Sequence, residues 1–426
     1  MFKIFNVKRF KSIKELNVDV GSFNVIIGEN GAGKSNFLEA LAVFSAGLSN
    51  KLSSEFFKNR GIRYTQANNL FSTFSNKTYP SSLISGIDQM GAIGVILSYD
   101  PDEPYPEVKH ELGFGTYDKD KKSSKFFYST DGNDELEQKI NELYEDIAKR
   151  YGSVEEYDRQ LTELMTSTGG MNIKAPNQLL EDLARITPFL NIQRHLYSYR
   201  NKKDIRKKGD FVIYSPELSE LKVFYKESQI DPLSAQGAGL FKLLITMEAL
   251  EPEKLKKVFE IASIFQWVDE IGIQKDDNNV IEKLKIKDFF MGCDLDHNNV
   301  NEGFLFVLFY ATLFSSQYTP DFFAIDNIDA SLNPKLCRVL IKELIKLAKE
   351  NGKQAFVTTH NPAILDGLDL HDEDQRLFVV ERKDEGDTTL RRVGIDDLPK
   401  PTRSGQTIKL SEAFMRGLLG GLPTNF

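Results

Sequence analysis

The chain has 426 residues, 41% hydrophobic and 27% charged, which suits a water-soluble protein of two or three domains with a large core. A formal net charge of −8 excludes a surface that is electropositive throughout, so any contact with nucleic acid must be local. Cys293 and Cys337 form no metal-ligand spacing, the first residues lack the apolar core of a signal peptide, and the most apolar stretch, Gly303 to Phe314, is too short to span a bilayer. The expectation is a reduced, cytoplasmic protein without structural zinc or membrane contact.

Taken in chain order, Lys3 to Val7 reads as a strand, and the apolar run Phe23 to Ile27 reads as a buried one. It leads into Gly28-Glu-Asn-Gly-Ala-Gly33-Lys34-Ser35, which fits the phosphate-binding pattern G-x-x-x-x-G-K-[ST], and Asn36 to Val43 reads as the helix leaving it. Residues 50 to 90 are polar and irregular, strands are expected at Ala92 to Ser98 and His110 to Phe114, and Asp102 to Glu107 marks a turn. From Asp134 the texture changes. Apolar residues at helical spacing, among them Ile140, Leu143, Ile147, Tyr157, Leu161 and Leu164, predict a helical hairpin over 134 to 166, and more helix follows from 177 to 270 around a strand at Phe211 to Tyr214.

A second lobe begins near residue 290. Gly303 to Phe314 reads as a buried core helix, Phe322 to Asp326 as a strand, and Pro334 to Lys349 as a helix with Leu336, Leu340, Leu344 and Leu347 on one face, stopped by Gly352. Strands are expected at Ala355 to Thr359 and Arg376 to Glu381, the latter continuing as a hairpin that turns at Asp384 to Gly386. The tail from Leu410 to Phe426, apolar and glycine-rich near its end, is suited to dock on its own chain or on another protein. The order predicts an α/β nucleotide-binding fold in three parts: an N-terminal lobe over 1–130, a mainly helical insertion over 131–285, and a C-terminal lobe over 286–426.

The chemistry follows from residue types at strand ends. Gly28, Asn30, Gly31, Gly33, Lys34, Ser35 and Asn36 are expected to surround the phosphates of a nucleotide, backbone N–H groups and the helix N-terminus favouring negative charge. Lys34 would pair with the β and γ phosphates, and the Ser35 hydroxyl would ligate Mg²⁺. A carboxylate on a neighbouring strand must hold the rest of the metal's shell, and Asp326, after four apolar residues, is placed for it. His360, at the end of Ala355 to Thr359, can contact the γ-phosphate and sense its loss. His110, His195, His297 and His371 have no such context.

Gly28 to Ser35, Asp326 and His360, in that order around a long insertion, resemble the ABC-type ATPase heads of the RecF, SMC and OLD group, above all its bacterial AAA-labelled ATPases. The segment Lys8-Arg-Phe-Lys-Ser-Ile13 echoes their N-terminal basic and aromatic step. The resemblance implies a P-loop NTPase of ABC-head type that binds ATP and Mg²⁺. Most ATPases of this build carry a glutamate after the magnesium aspartate, where it polarises water. Here the position is Asn327, which can orient water but accepts no proton, so general-base help of roughly 10²- to 10⁴-fold is at stake and Asp329 is the nearby carboxylate that can substitute. The resemblance also places a signature segment about twenty residues before Asp326, at Asn299 to Gly303, where Asn301 and Gly303 would meet a nucleotide held by a second head, with a plain helix cap as the alternative. Leu233 to Gly237 looks more familiar but lies about ninety residues upstream. Ala330 to Pro334 resembles the loop that crosses between heads, and Gln66 and Gln89 are both open as the glutamine that couples insertion to metal.

The same resemblance implies a homo-oligomer, a dimer of heads or a larger ring, acting as sensor or motor in an anti-phage or DNA-surveillance system and controlling a separate effector such as a nuclease or toxin. A RecF-like or SMC-like repair ATPase that binds DNA directly is one alternative; the densest basic run, Arg200, Lys202, Lys203, Arg206, Lys207 and Lys208, is where nucleic acid would bind. A catalytically weak, ATP-gated scaffold is the other.

Overall fold

The computed structural model describes residues 1–63, 66–74, 77–103, 106–129, 135–167, 177–200, 210–223, 232–275, 281–399 and 408–422. Among them, six strands form an antiparallel sheet in the spatial order Ile13–Asp19, Ile4–Phe10, Ser81–Asp88, Gly91–Ser98, Lys109–Asp118 and Ser123–Ser129. Six more form a second sheet in the order Ile213–Tyr214, Phe322–Ile325, Gln354–Thr358, Phe23–Gly28, Gln375–Arg382 and Thr388–Val393. The first five of these are parallel and the last is antiparallel. The strand ahead of the phosphate-binding pattern therefore lies in the centre of a sheet built otherwise from residues beyond 210. Its burial on both faces suits a central parallel strand.

Helix Lys34–Leu48 lies between the two sheets and is buried all round from Phe37 to Leu48, as a helix covered on both sides must be. Phe5 shows how this layer is held. Its ring is fully buried among Phe2 at 5.0 Å, Phe44 of the helix and Phe322 at 5.7 Å each, and Phe356 at 6.2 Å. Phe5→Ala removes the ring common to both sheets, and a loss of about 3–5 kcal/mol in a denaturant titration is the expected result. On the far face of the second sheet a larger core holds helices Leu240–Leu250, Pro252–Ala262, Glu302–Ser315 and Pro334–Asn351. Phe304 to Ser315 are all buried, so the apolar stretch near residue 303 is the core helix its length implies, and among the described residues no helix is long and apolar enough to cross a membrane.

The helical hairpin expected over 134 to 166 is present as Glu135–Tyr151 and Val154–Ser167, joined by Asn177–Arg200. Leu143, Ile147, Tyr157 and Ile186 make its small core, and the fully buried Asp182 carboxylate is held by Arg150, Arg185 and Tyr151. Two readings are corrected. Residues 50 to 90 contain the regular strand Ser81–Asp88, whose serines and glycine mask its period of two. Helix ends at Ala262, and Val268–Lys275 pairs with Ile281–Asp288 as an antiparallel hairpin because Ile271, Ile273, Leu284 and Ile286 alternate onto one face.

The tail docks on its own chain. Helix Leu410–Met415 is tied down by Ser411, which donates through N–H and Oγ to Asp366, and Phe414 and Leu419 are buried. Gly421 N–H donates to Glu381 Oε1 at 3.0 Å, and a Cβ there would lie 3.6 Å from Gly28 Cα. The remainder of the tail, from residue 423, and Lys202 to Lys208 of the basic run lie outside the described residues.

Candidate nucleotide-binding site

The phosphate loop leaves the second sheet at its centre. A Cβ at Gly28 would lie 2.3 Å from the Val380 carbonyl oxygen, and one at Gly33, where φ is +110°, would lie 2.1 Å from Thr388 Oγ1. Glycine is thus required at both positions. Helix Lys34–Leu48 begins with no side-chain cap and no acidic residue in its first turn, so its first amides and positive dipole end stay available to an anion. The Lys34 ammonium donates to the carbonyls of Gly28 at 2.8 Å and Glu29 at 3.0 Å. Burial lowers its pKa, against the opposing pull of the Asp326 and Glu29 carboxylates. Ser35 and Asn36 are half-buried in the first turn, and Asn30 and Gly31 are exposed at the loop tip.

Asp326 follows strand Phe322–Ile325, two strands from the loop. Its Oδ1 accepts from Thr358 Oγ1, which in turn accepts from the Asn327 N–H at 2.9 Å. No hydrogen bond to Asp326 Oδ2 is made among the described residues, which leaves a hard oxygen for a metal. Among those residues, too, no group of three or more His, Cys, Asp or Glu could hold a metal ion. One carboxylate and the Ser35 hydroxyl suit Mg²⁺, which takes few protein ligands and draws the rest from phosphates and water. Asn327 is exposed with φ +57°, a left-handed conformation that asparagine adopts more readily than other non-glycine residues.

Asp329 Oδ1 accepts from Thr359 Oγ1 at 2.7 Å and from the His360 N–H at 3.3 Å, so the aspartate after Asn327 and the strand-end histidine are locked together. His360 is exposed overall, yet partial burial of its ring lowers its pKa, helped by the Lys34 charge and opposed by Asp329 and Asp326. These surroundings favour the neutral imidazole over its charged form. These couplings put Lys34, Asp326 and Asp329 within electrostatic reach of His360, and Asp326 within reach of Lys34.

Asn301 caps helix Glu302–Ser315, its Oδ1 accepting from Phe304 N–H at 2.8 Å. A Cβ at Gly303 would lie 3.3 Å from the Ser331 carbonyl oxygen, and Ser331 Oγ donates to Glu302. The start of this helix is thus jointed to the loop that follows Asp329. Gln66 is exposed ahead of a short 3-10 turn, and Gln89 lines a groove of about 940 Å³ with Leu183 and Pro188 of the insertion.

Sequence reasoning missed several residues here. Thr358 and Thr359 orient the two aspartates, and their signal was two adjacent hydroxyls at a strand end. Arg63 donates to the buried Glu39 of helix Lys34–Leu48 at 2.7 Å, and both the Glu39 bond and the Asp326 charge raise its pKa. Lys11, at φ +47°, reaches the same Glu39.

Residues 1–288 match the family described as AAA ATPase domain, and residues 298–366 match the family described as AAA domain, putative AbiEii toxin, Type IV TA system. No curated protein matches the chain. Among solved structures, an SMC head bound to the C-winged helix domain of ScpA is 13% identical, with a TM-score of 0.50 over 93% of this chain and 98% of that one. The SMC head domain from Thermotoga maritima is 13% identical, with a TM-score of 0.42 over 92% and 99%. At such identity the likeness concerns the fold alone, and the first structure carries it. The chain belongs to the AAA ATPase domain family, and its fold is like that of an SMC head.

Proposed function

We propose that the chain binds and hydrolyses ATP as the sensor or motor subunit of a bacterial anti-phage defence or DNA-surveillance system, associating through its heads on ATP and controlling a separate effector such as a nuclease or toxin. The observation that carries this reading is the joint between the phosphate-sensing residues and the start of helix Glu302–Ser315. Asp329 holds His360, and two residues later Ser331 holds Glu302 and packs on Gly303. A change at the γ-phosphate would be passed along this short path to a helix terminus that can meet a second head. The match of residues 298–366 to a family described by a toxin–antitoxin system supports the defence setting.

Lys34 and the loop amides would hold the phosphates, Ser35 and Asp326 the Mg²⁺, and Asp329 would take the proton of the attacking water. When bound, Mg²⁺ would offset charge on the transferring phosphoryl group. Asn327 favours a second reading, an ATP-gated scaffold in which binding sets assembly and turnover is slow.

Sedimentation velocity separates the readings. Wild-type protein with Mg²⁺ and ATP is expected to sediment as a larger species and to relapse as ATP is consumed. An assembly that persists without phosphate release would favour the scaffold, and sedimentation indifferent to ATP would reject association through heads.

A further inference from the structure

Ser12 and Thr388 lie far from the phosphate-binding pattern in sequence and beside it in space. Thr388 Oγ1 lies 2.9 Å from the Ala32 carbonyl oxygen and 2.7 Å from Ser12 Oγ, and Asn36 Nδ2 lies 2.6 Å from the same Ser12 Oγ. The direction of each bond follows from proton counting. A carbonyl only accepts, so Thr388 gives its one proton to Ala32. Ser12 must then donate to Thr388, and Ser12 accepts from the Asn36 amide. The result is a one-way chain from Asn36 through Ser12 and Thr388 to Ala32, whose two ends bracket Gly33, Lys34 and Ser35.

The backbone adds to it. Thr388 N–H donates to the Ser12 carbonyl at 2.7 Å, which joins the last strand of the second sheet to the first turn of the other. The strand entering that turn holds Arg9 at φ +59° and the turn itself holds Lys11 at φ +47°, two non-glycine residues in the left-handed region. Strain of this kind persists only where surrounding structure enforces it, and here it sets Ser12 against the loop. Thr388 is itself buried, and its Oγ1 fills the space that a Cβ on Gly33 would take.

We infer that this hydroxyl chain is a positioning device for the phosphate loop, with Thr388 as its central positioning residue, and that it sets nucleotide affinity. A loop that points its amides at phosphate must point carbonyls away from it, and each of those needs a donor. Thr388 supplies one to Ala32 at the crest of the loop. Without it the Ala32 peptide is free to rotate and spoil the cradle. The inference rests on the nucleotide site proposed above.

The test is a fluorescence titration with a fluorescent ATP analogue and Mg²⁺ on Thr388→Val, Thr388→Ser and Ser12→Ala, beside wild type and Lys34→Ala. Thr388→Val keeps the shape against Gly33 and loses the donor, so its Kd is expected to rise about tenfold while Thr388→Ser stays within twofold of wild type. Ser12→Ala should shift in the same direction, and the double variant Ser12→Ala/Thr388→Val should bind no more weakly than Thr388→Val, because both changes cut one chain. Wild-type affinity in Thr388→Val, or no rescue by Thr388→Ser, would overturn the proposal and leave the nucleotide site intact. Should Thr388→Val fail to fold, Ser12→Ala decides on the same criterion. A wild type that binds no better than Lys34→Ala would remove the nucleotide reading and this inference with it.

Discussion

Lys34→Ala is expected to abolish ATP turnover and to weaken ATP binding by 10²-fold or more. The lysine is buried, and its ammonium is fixed at the mouth of the loop by the carbonyls of Gly28 and Glu29, close enough to Asp326 for their charges to interact. A charge in such a site needs no reorganisation when phosphate arrives, which makes its contribution large. The cost to folding should be small by comparison, because burial already disfavours the charged form. Isothermal titration with Mg²⁺ and ATP, together with phosphate release, measures both halves. A variant that binds within threefold of wild type would show that the loop does not hold the nucleotide's phosphates.

Asp329→Asn is expected to lower kcat by about 10²- to 10³-fold while leaving KM within a few fold. The two side chains have the same shape, and an amide oxygen can still accept from Thr359 Oγ1 and the His360 N–H, so the local geometry should survive. What is lost is the ability to take a proton. Asn327 cannot supply that, and Asp326, the other carboxylate on this turn, is committed to the metal in the proposed site. Steady-state hydrolysis at saturating ATP gives the answer. Undiminished kcat in Asp329→Asn would mean that water is activated without Asp329, and its role would then be confined to holding Thr359 and His360.

The parts of the site that could be read from sequence are those in which local pattern and chemistry coincide. A buried strand followed by glycines, lysine and serine has few physical uses, and an aspartate or histidine at the end of an apolar run points to the same edge of a sheet. The hydroxyl chain had no such signature, since residues 12, 36 and 388 converge only after the sheets form. Asn301 illustrates a different obstacle. A helix cap and a helix terminus that meets phosphate have the same local geometry, so the bond to Phe304 N–H fits both. The strand Ser81–Asp88 and the hairpin near residue 270 were hidden for compositional reasons. In the second case the alternation of Leu284 and Ile286 with Lys283, Lys285 and Lys287 was a legible period of two, outweighed by the helical texture before it.

The placement of strand Phe23–Gly28 bears on how the protein is made. Its two neighbours in the sheet are Gln354–Thr358 and Gln375–Arg382, the loop it feeds leans on Val380 and Thr388, and Gly421 closes over its last residue. A ribosome therefore releases the first motif of the chain more than three hundred residues before the partners that shape it. Until then the strand is an unpaired apolar edge, the kind of surface that aggregates or recruits chaperones. Contacts of such long sequence separation form slowly, so a nascent chain should gain its affinity for ATP only after residues 354 to 421 have been made.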